Sequence, residues 1–328
     1  KKSELILDDI RYLIDYSNLQ DNLLYKRSNI FCNLDDFKSY SKDISMGIPM
    51  LLPTNLDYFD YDNYSSFKLN KEDIANKIFM TDKLDYIGVK QFIEKGLEFS
   101  TGGTPVEKSL NIISYISDIN KKCKDLVNAL TKKGKTVCAF QTRNIPHLGH
   151  ERIIEEGLKH CDYIIVNPLI GLRKKGDFKT EVIEKAFQFL IENFYGNKVI
   201  YAPIIANMFY AGPREAFHHS IIRQNIGFTH FIVGRDHAGA EGVYDEDAAF
   251  KNLKRNKLNI EVIPIEGAYY CTKKKSAVIK GVDNYDKNNL ISISGTKFRE
   301  AIISNTDFEF VRPELLNYIK KLGGNIFE

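Results

Sequence analysis

Ten consecutive residues, Gln141-Thr142-Arg143-Asn144-Ile145-Pro146-His147-Leu148-Gly149-His150, bring together hydrogen-bond donors of several kinds. The chain has only 7 histidines, yet two of them stand three positions apart around Gly149. Arg143 supplies a planar guanidinium fork suited to a tetrahedral oxyanion, and Gln141, Thr142 and Asn144 add neutral donors. Pro146 and Gly149 mark a turn into a helix that starts near His150, and free N–H groups at a helix start attract phosphate. Gly149 leaves out a Cβ where a phosphate would approach the backbone. Such a set suits the stabilisation of negative charge that moves during phosphoryl transfer. Two plainer readings stand beside it. Histidines at this spacing also occur in metal sites, although no third ligand lies nearby in sequence, and a purely structural pair is the other alternative. A second polar cluster, Gly234-Arg235-Asp236-His237-Ala238-Gly239, has its own plain reading as a tight turn with an Arg–Asp pair.

These clusters need a scaffold, and the pattern from residue 136 onward predicts one. TVCAF, DYIIVNPLI, KVIYAPII, THFIVG and IEVIPI are short runs rich in β-branched residues. HERIIEEGLKH, TEVIEKAFQFLIENF and GPREAFHHSIIRQN separate the first four and have helical spacing. Apolar strands without alternation, divided by amphipathic helices, predict an α/β fold with a Rossmann-like parallel sheet covered on both faces. Ligands in such sheets bind beyond the carboxyl ends of the strands, where both polar clusters fall. The tail ISGTKFREAIISNTDFEFVRPELLNYIKKL predicts two short helices, the second entered through Pro313. Ser294, Gly295 and Thr296 then cap the helix that begins at Lys297. The first third is irregular, with helical spacing in SELILDDIRYLIDYS, KEDIANKIFM and YIGVKQFIEKG, and a connector helix in SLNIISYISDINKKCKDLVNALTKKGK. Lys273, Lys274 and Lys275 suit a solvated loop or a phosphate contact. His218, His219 and His230 read as ordinary helix or strand-end histidines, and Arg214 and Glu215 as a pair.

With 328 residues, of which 43% are hydrophobic, the chain is long enough for about two domains with ordinary cores. Forty-six basic and 43 acidic side chains leave a net charge of +3, which argues against a general nucleic-acid or membrane-surface binder. The five cysteines, Cys32, Cys123, Cys138, Cys161 and Cys271, are scattered and odd in number, which fits a reducing compartment rather than a disulfide framework. No secretory segment and no long apolar run is present, so a soluble cytoplasmic protein is expected.

QTRN followed by H-x-x-H resembles the signature of the ATP sulfurylase (sulfate adenylyltransferase) family, within the nucleotidyltransferases that share an HxGH-type motif. The resemblance extends through NPLIGLRKKGDF, through MFYAGPREAFHHSIIRQNIGFTHFIVGRDHAG, and through ISGTKFRE with FVRPEL. Upstream, IFMTDKLDYIGVKQFIEKGLEFSTGG resembles the end of that family's PUA-like N-terminal domain. It covers about residue 70 to the end, and the joint occurrence of QTRN, GRDHAG and ISGT makes it specific. The resemblance implies a PUA-like domain with helical connector over residues 1–120, a Rossmann-like catalytic domain over 121–296, and a small helical segment over 297–328. It implies the reaction of ATP with sulfate to give adenosine 5′-phosphosulfate and pyrophosphate, with Mg²⁺ entering as MgATP. By the same likeness, Gln141, Arg143 and the backbone N–H of Ala238 would hold sulfate, and Thr142, Arg143, Asn144, His147 and His150 would be catalytic. ATP would meet Gln141, Arg143, Asn144, His147, His150, Gly234, Arg235, Asp236 and His237. Arg214 would lie close behind this site, and a homodimer is favoured. Arg173, Lys174 and Lys175 suit a solvated run or, with Gly176 and Asp177, a flexible loop closing over phosphates.

The chain also departs from that family. Residues 1–50 lack an SPL-x-GF segment, Lys185 stands where an arginine is common, and no GxxxxGK[ST] loop signals a fused kinase. AYYCTKKKSAVIKGVDNYDKNN retains only Cys271 where many relatives carry a cysteine-rich zinc site, so no structural zinc is expected. Two rival functions remain at this level: a nucleotidyltransferase with another acceptor, and a non-catalytic RNA-binding protein with a PUA-like domain. The acidic stretch LDYFDYDNY fits the second poorly, and no nucleic-acid or membrane partner is expected.

Overall fold

The computed structural model describes residues 11–19, 23–25, 30–31, 48–49, 59–60, 65–68, 78–81, 83–94, 98–101, 104–171, 178–235, 237, 242–245, 247–293, 295–323 and 326–327. Five of the strands, β1 (Val137–Phe140), β2 (Tyr163–Val166), β3 (Val199–Tyr201), β4 (His230–Gly234) and β5 (Glu261–Ile265), form one parallel sheet in the spatial order β3-β2-β1-β4-β5. The order reverses between the neighbours β1 and β4, where His230 stands opposite Cys138. At such a reversal the following loops part towards opposite faces and leave a crevice at the carboxyl ends.

The α-helices are α1 (Arg11–Leu19), α2 (Ile87–Glu94), α3 (Glu107–Thr131), α4 (Leu148–His160), α5 (Thr180–Leu190), α6 (Pro213–Ile226), α7 (Ala248–Arg255), α8 (Gly295–Ile303) and α9 (Pro313–Leu322). Side chains along a strand point alternately to the two faces. Ala139, Ile165, Phe231 and Val233 accordingly join one core with residues of α3, α6 and α7. Cys138, Phe140, Ile164, Val166 and Ile232 join the other with residues of α4 and α5. Both faces are apolar, so the strands read as unbroken hydrophobic runs. Gly157 lets α4 lie close on the sheet, since a Cβ there would come within 2.6 Å of Ile164 Cδ1. Ile78, Phe79, Tyr86, Val89 and Phe92, from the segment around α2, also sit in the first core.

α6 differs from the other helices because it is buried around its whole circumference, Arg214, Glu215, His218, His219 and Arg223 included. Polar groups in that position must find partners inside the protein. The helix starts at Pro213 and stops at Gly227, whose φ of 111° places it in the left-handed conformation favoured at helix ends.

The stretch after β5 forms a second sheet that the sequence pattern did not announce, with the solvated-loop reading of the three lysines kept as its turn. β6 (Ala268–Cys271), β7 (Ser276–Ile279) and β8 (Leu290–Ser292) form an antiparallel sheet in the order β7-β6-β8. Lys273, Lys274 and Lys275 make its exposed turn. The sheet is fastened to α4 by Arg152, which donates to both carboxylate oxygens of Asp283 at 2.9 and 2.7 Å. The expected pair of C-terminal helices is present as α8 and α9, with Pro313 opening the second. Just before α9, the Phe310 carbonyl accepts the Leu148 N–H at 2.8 Å, and Arg312 Nε donates to Glu151 Oε2 at 2.5 Å. The C-terminal part thereby holds the first turn of α4.

In the N-terminal third, residues 30–31 pair with 48–49 in parallel, while 59–60 with 104–105 and 65–68 with 98–101 are antiparallel. Of the helices expected over SELILDDIRYLIDYS and YIGVKQFIEKG, residues 11–17 fall in α1 and 87–94 in α2, while residues 3–10 and 95–96 lie outside the described residues. The connector matches α3. Most of KEDIANKIFM, Cys32, and Gly102-Gly103 of STGGTP lie outside the described residues. Among the described residues, no helix is long and apolar enough to cross a membrane.

Candidate active site

β1 delivers Gln141 to the crevice, and the chain then turns through Thr142–Pro146 into α4. His147 is the N-cap of that helix: its Nδ1 accepts the backbone N–H of His150 at 3.3 Å. A ring nitrogen that accepts carries no proton, so the His147 proton belongs on Nε2. The rings of His147 and His150 stack at 3.7 Å, with the His150 ring also against Phe140. Gly149 makes this stack possible, because a Cβ there would lie 3.0 Å from the His147 ring. The Ile293 side chain would also lie 3.1 Å from a Cβ placed there. Thr142 Oγ1 lies 3.2 Å from His150 Nε2 and accepts the Asn144 N–H at 3.3 Å, which folds the QTRN turn onto the histidine.

Burial pushes the His147 pKa down to about 4 and holds His150 well below the usual imidazole range, with His147 adding to the effect. Both rings are neutral near pH 7. They offer oriented dipoles rather than cations, and the positive charge of the crevice comes from arginine.

Opposite this wall, β4 ends at Gly234 and leads into Arg235 and His237. A cleft of about 340 Å³ lies between the two loops, lined by Gln141, His150, Gly234, Arg235 and His237, with Tyr269 of β6 at its side. Volumes of this size suit small organic ligands. Gln141 Oε1 is buried in this wall with no hydrogen-bond partner among the described residues. Buried acceptors in this condition are expected to meet a ligand or water.

Arg143 points along a neighbouring direction. Its Nη1 donates to the Tyr210 hydroxyl at 3.0 Å and approaches Met208 Sδ at 3.5 Å. Its charge still acts across the site, helping to hold His219 and His237 below their ordinary pKa, behind the larger effect of burial. The carrier loop is fixed from several sides. Tyr210 has φ of 57°, a left-handed conformation that is strained for a tyrosine, and its carbonyl accepts the Tyr86 hydroxyl at 2.6 Å. Gly212 has φ of 54°, and a Cβ there would collide with the Tyr244 ring.

The sites named from sequence therefore divide as follows. Gln141, His150, Gly234, Arg235 and His237 share one cleft. Thr142 and His147 stand directly behind His150, Asn144 lies beside Gly295 at the start of α8, and Arg143 reaches Tyr210. Asp236, Ala238, Ser294, residues 172–177 and the side chain of Thr296 lie outside the described residues. Among the described residues, no three or more His, Cys, Asp or Glu side chains are grouped to hold a metal ion.

Four residues of consequence escaped sequence reasoning. Tyr210 and Met208 face Arg143, although MFYAGP gives no spacing signal for it. His219, expected to be an ordinary helical histidine, is wholly buried with Nδ1 2.8 Å from His237 Nε2. The carboxylate of Glu215, expected to pair with Arg214, accepts backbone N–H groups from Phe209 and Ala211 and faces His219. His230 keeps its ordinary reading, paired with Glu261 at 3.1 Å on the adjacent strand.

Comparison with known proteins agrees with the motifs. The ATP-sulfurylase family model matches residues 118–322. A sulfate adenylyltransferase of Ignicoccus hospitalis is 40% identical over 232 residues, covering 69% of this chain and 60% of that protein. The sulfate adenylyltransferase of Pyrococcus abyssi is 36% identical over 267 residues, covering 80% and 70% of the two chains. That of Thermococcus onnurineus is 33% identical over 336 residues, covering 94% and 87%. With the family model matched over sheet and crevice alike, the chain belongs to the ATP-sulfurylase family, a family of nucleotidyltransferase enzymes.

Proposed function

We propose that the cleft between β1 and β4 transfers the adenylyl group of MgATP to sulfate, giving adenosine 5′-phosphosulfate and pyrophosphate reversibly. An oxygen of sulfate attacks the α-phosphorus in line. The new S–O–P link forms as the bond from the α-phosphorus to the bridging oxygen breaks, and that electron pair leaves on pyrophosphate. Sulfate is already an anion, so no proton has to be removed and no general base is required. The obstacle is repulsion between anions, which orientation and preorganised positive charge overcome.

In this reading Gln141, Arg143 and the Ala238 N–H hold sulfate, while Gly234, Arg235, Asp236 and His237 hold the nucleotide. Thr142 and Asn144 shape the turn that aims Arg143. His150, stacked on His147, donates as a neutral dipole to charge building on the phosphates. Mg²⁺ arrives with ATP, chelated by the β- and γ-phosphates and water. Arg173, Lys174 and Lys175 add positive charge for the phosphates. The N-terminal part is PUA-like, and the protein is a cytoplasmic homodimer that light scattering would reveal.

One observation carries the proposal: Gln141 and His150 face Arg235 and His237 across a single cleft at the point where strand order reverses. The test is pyrophosphate release from MgATP with sulfate, selenate or molybdate present or absent. Release that depends on the oxyanion is expected. Release that needs another acceptor, or none, assigns the cleft to a different nucleotidyl transfer.

A further inference from the structure

We infer that Glu215 and His219 are positioning residues that fix which nitrogen of His237 carries its proton, so that His237 meets the nucleotide as an acceptor. This rests on the reading of the cleft as an ATP site. It specifies which end of the nucleotide His237 meets.

Glu215 lies in the first turn of α6 and is wholly buried. Its Oε1 accepts the Phe209 N–H at 2.9 Å, and its Oε2 accepts the same group at 3.2 Å and the Ala211 N–H at 2.8 Å. Burial raises the Glu215 pKa, and these backbone donors pull it back towards the ionised form, which a helix N-terminus also favours. His219 is one turn further along, with Nε2 3.1 Å from Glu215 Oε1 though off the line of an ideal hydrogen bond. Its other nitrogen, Nδ1, lies 2.8 Å from Nε2 of His237. Burial keeps His219 and His237 neutral, helped by the nearby charges of Arg223 and Arg143.

A neutral imidazole has one N–H and one lone pair. Facing a carboxylate oxygen, the His219 proton sits on Nε2, which leaves Nδ1 as a lone pair. At 2.8 Å that lone pair requires a donor, so His237 carries its proton on Nε2. The remaining nitrogen of His237, Nδ1, can then only accept. Phosphoryl oxygens also only accept, so this ring suits a hydroxyl or amino group of the nucleoside. The phosphates fall to the His147–His150 side and the arginines. Glu215 does a second job with the same carboxylate, because the loop it grips at Phe209 and Ala211 carries Tyr210, the partner of Arg143.

Glu215→Gln separates the two jobs. An amide oxygen in the Oε2 place keeps the Phe209 and Ala211 N–H groups at 3.2 and 2.8 Å, while the NH₂ in the Oε1 place gives up the 2.9 Å bond from Phe209 N–H and donates to His219 Nε2. Both histidines must then move their protons to Nδ1. The experiment is long-range ¹H–¹⁵N correlation of histidine-labelled full chain, together with calorimetric binding of MgATP and the sulfate KM. Wild-type His219 and His237 should both show the Nε2–H form, and Glu215→Gln should show Nδ1–H in both. The Kd for MgATP should rise roughly tenfold, as for one mismatched hydrogen bond, with the sulfate KM changed less than about twofold. His219→Asn, which keeps an oxygen near the former Nδ1, should preserve the His237 form and the MgATP affinity, whereas His219→Leu should lose both. Should the Gln variant melt early, the wild-type spectrum and the His219 pair decide the matter. A wild-type His237 bearing Nδ1–H, or His219→Leu binding MgATP as the wild type does, overturns the inference. Loss of oxyanion-dependent pyrophosphate release in the wild type would remove the proposed reaction and leave the proton assignment standing.

Discussion

Two histidine pairs flank the cleft, and they are built in opposite ways. His147 and His150 are three residues apart on one helix start, stacked face to face at 3.7 Å, and fixed by a backbone cap. His219 and His237 come from a buried helix and from the loop after β4, meet nitrogen to nitrogen at 2.8 Å, and are backed by a carboxylate. Burial makes all four neutral near pH 7. The difference is therefore not charge but the direction in which each ring presents its proton. A backbone N–H facing Nδ1 leaves His147 with its proton on Nε2, whereas a carboxylate facing Nε2 leaves His219 with a lone pair on Nδ1.

The sharpest way to break that contrast is to truncate one histidine from each pair. His150→Ala should lower the turnover of oxyanion-dependent pyrophosphate release on the order of a hundredfold or more, roughly 3 kcal/mol of transition-state stabilisation. His237→Ala should act mainly on MgATP affinity. If the two variants lose turnover equally with unchanged MgATP binding, the division of labour is wrong.

The next largest effect concerns acid. The native His147 pKa of about 4 lies below its ordinary value of 6.5. Above pH 6.5 neither the folded nor the unfolded chain protonates this ring, and its contribution to stability is complete. As pH falls through 6.5 towards 4, the unfolded chain takes up a proton that the native ring refuses, and stability is lost. Between pH 6.5 and 5 this amounts to roughly 2 kcal/mol. Urea unfolding at the two pH values should show the wild type losing about that much more than His147→Asn. Equal losses would mean that burial does not hold the stacked ring neutral.

A smaller change is expected at the rim. Tyr210→Phe removes the hydroxyl that receives Arg143 at 3.0 Å while keeping the ring in its strained loop. A hydrogen bond to a charged group contributes about 1.5 kcal/mol or more, so the sulfate KM should rise about tenfold with MgATP affinity unchanged. A rise in both constants would tie the Tyr210 loop to the nucleotide wall more tightly than the geometry suggests.

Much of this was legible in the chain. The five parallel strands read clearly because a sheet buried on both faces leaves continuous apolar runs, and QTRN and GRDH stood out as polar clusters straight after two of them. The HLGH pair was visible because its two rings share one helix turn. Glu215 and His219 were not, because their partners are backbone N–H groups of the 209–211 loop, which carry no residue-type signal, and a histidine 18 residues ahead. Full burial of α6 also erased the polar face that marks a surface helix. The antiparallel sheet was hidden by short strands, AYYC and SAVI, on either side of a lysine turn whose charge dominates the local composition. The closeness of the His147 ring to Gly149 was also illegible, because that ring takes its place only once it stacks on His150.

The smallest expected effect tests whether position, not residue type, makes a histidine matter. His230 opens β4 directly opposite Glu261 of β5, with its ring 12% exposed and the carboxylate partner 70% exposed. Thr229 Oγ1 also lies 2.8 Å from its Nδ1. Polar pairs this open to water contribute little, because solvent competes for both partners and the long acidic side chain loses freedom on pairing. The site sits at the amino end of a strand whose carboxyl end carries Gly234 and the cleft. His230→Asn should therefore cost about 1 kcal/mol of stability at most in urea unfolding, with the MgATP Kd and the sulfate KM unchanged. A variant folded like the wild type but impaired in either constant would show that the sheet transmits strain from one end of β4 to the other, and the two pairs could no longer be treated as independent of the histidine beneath them.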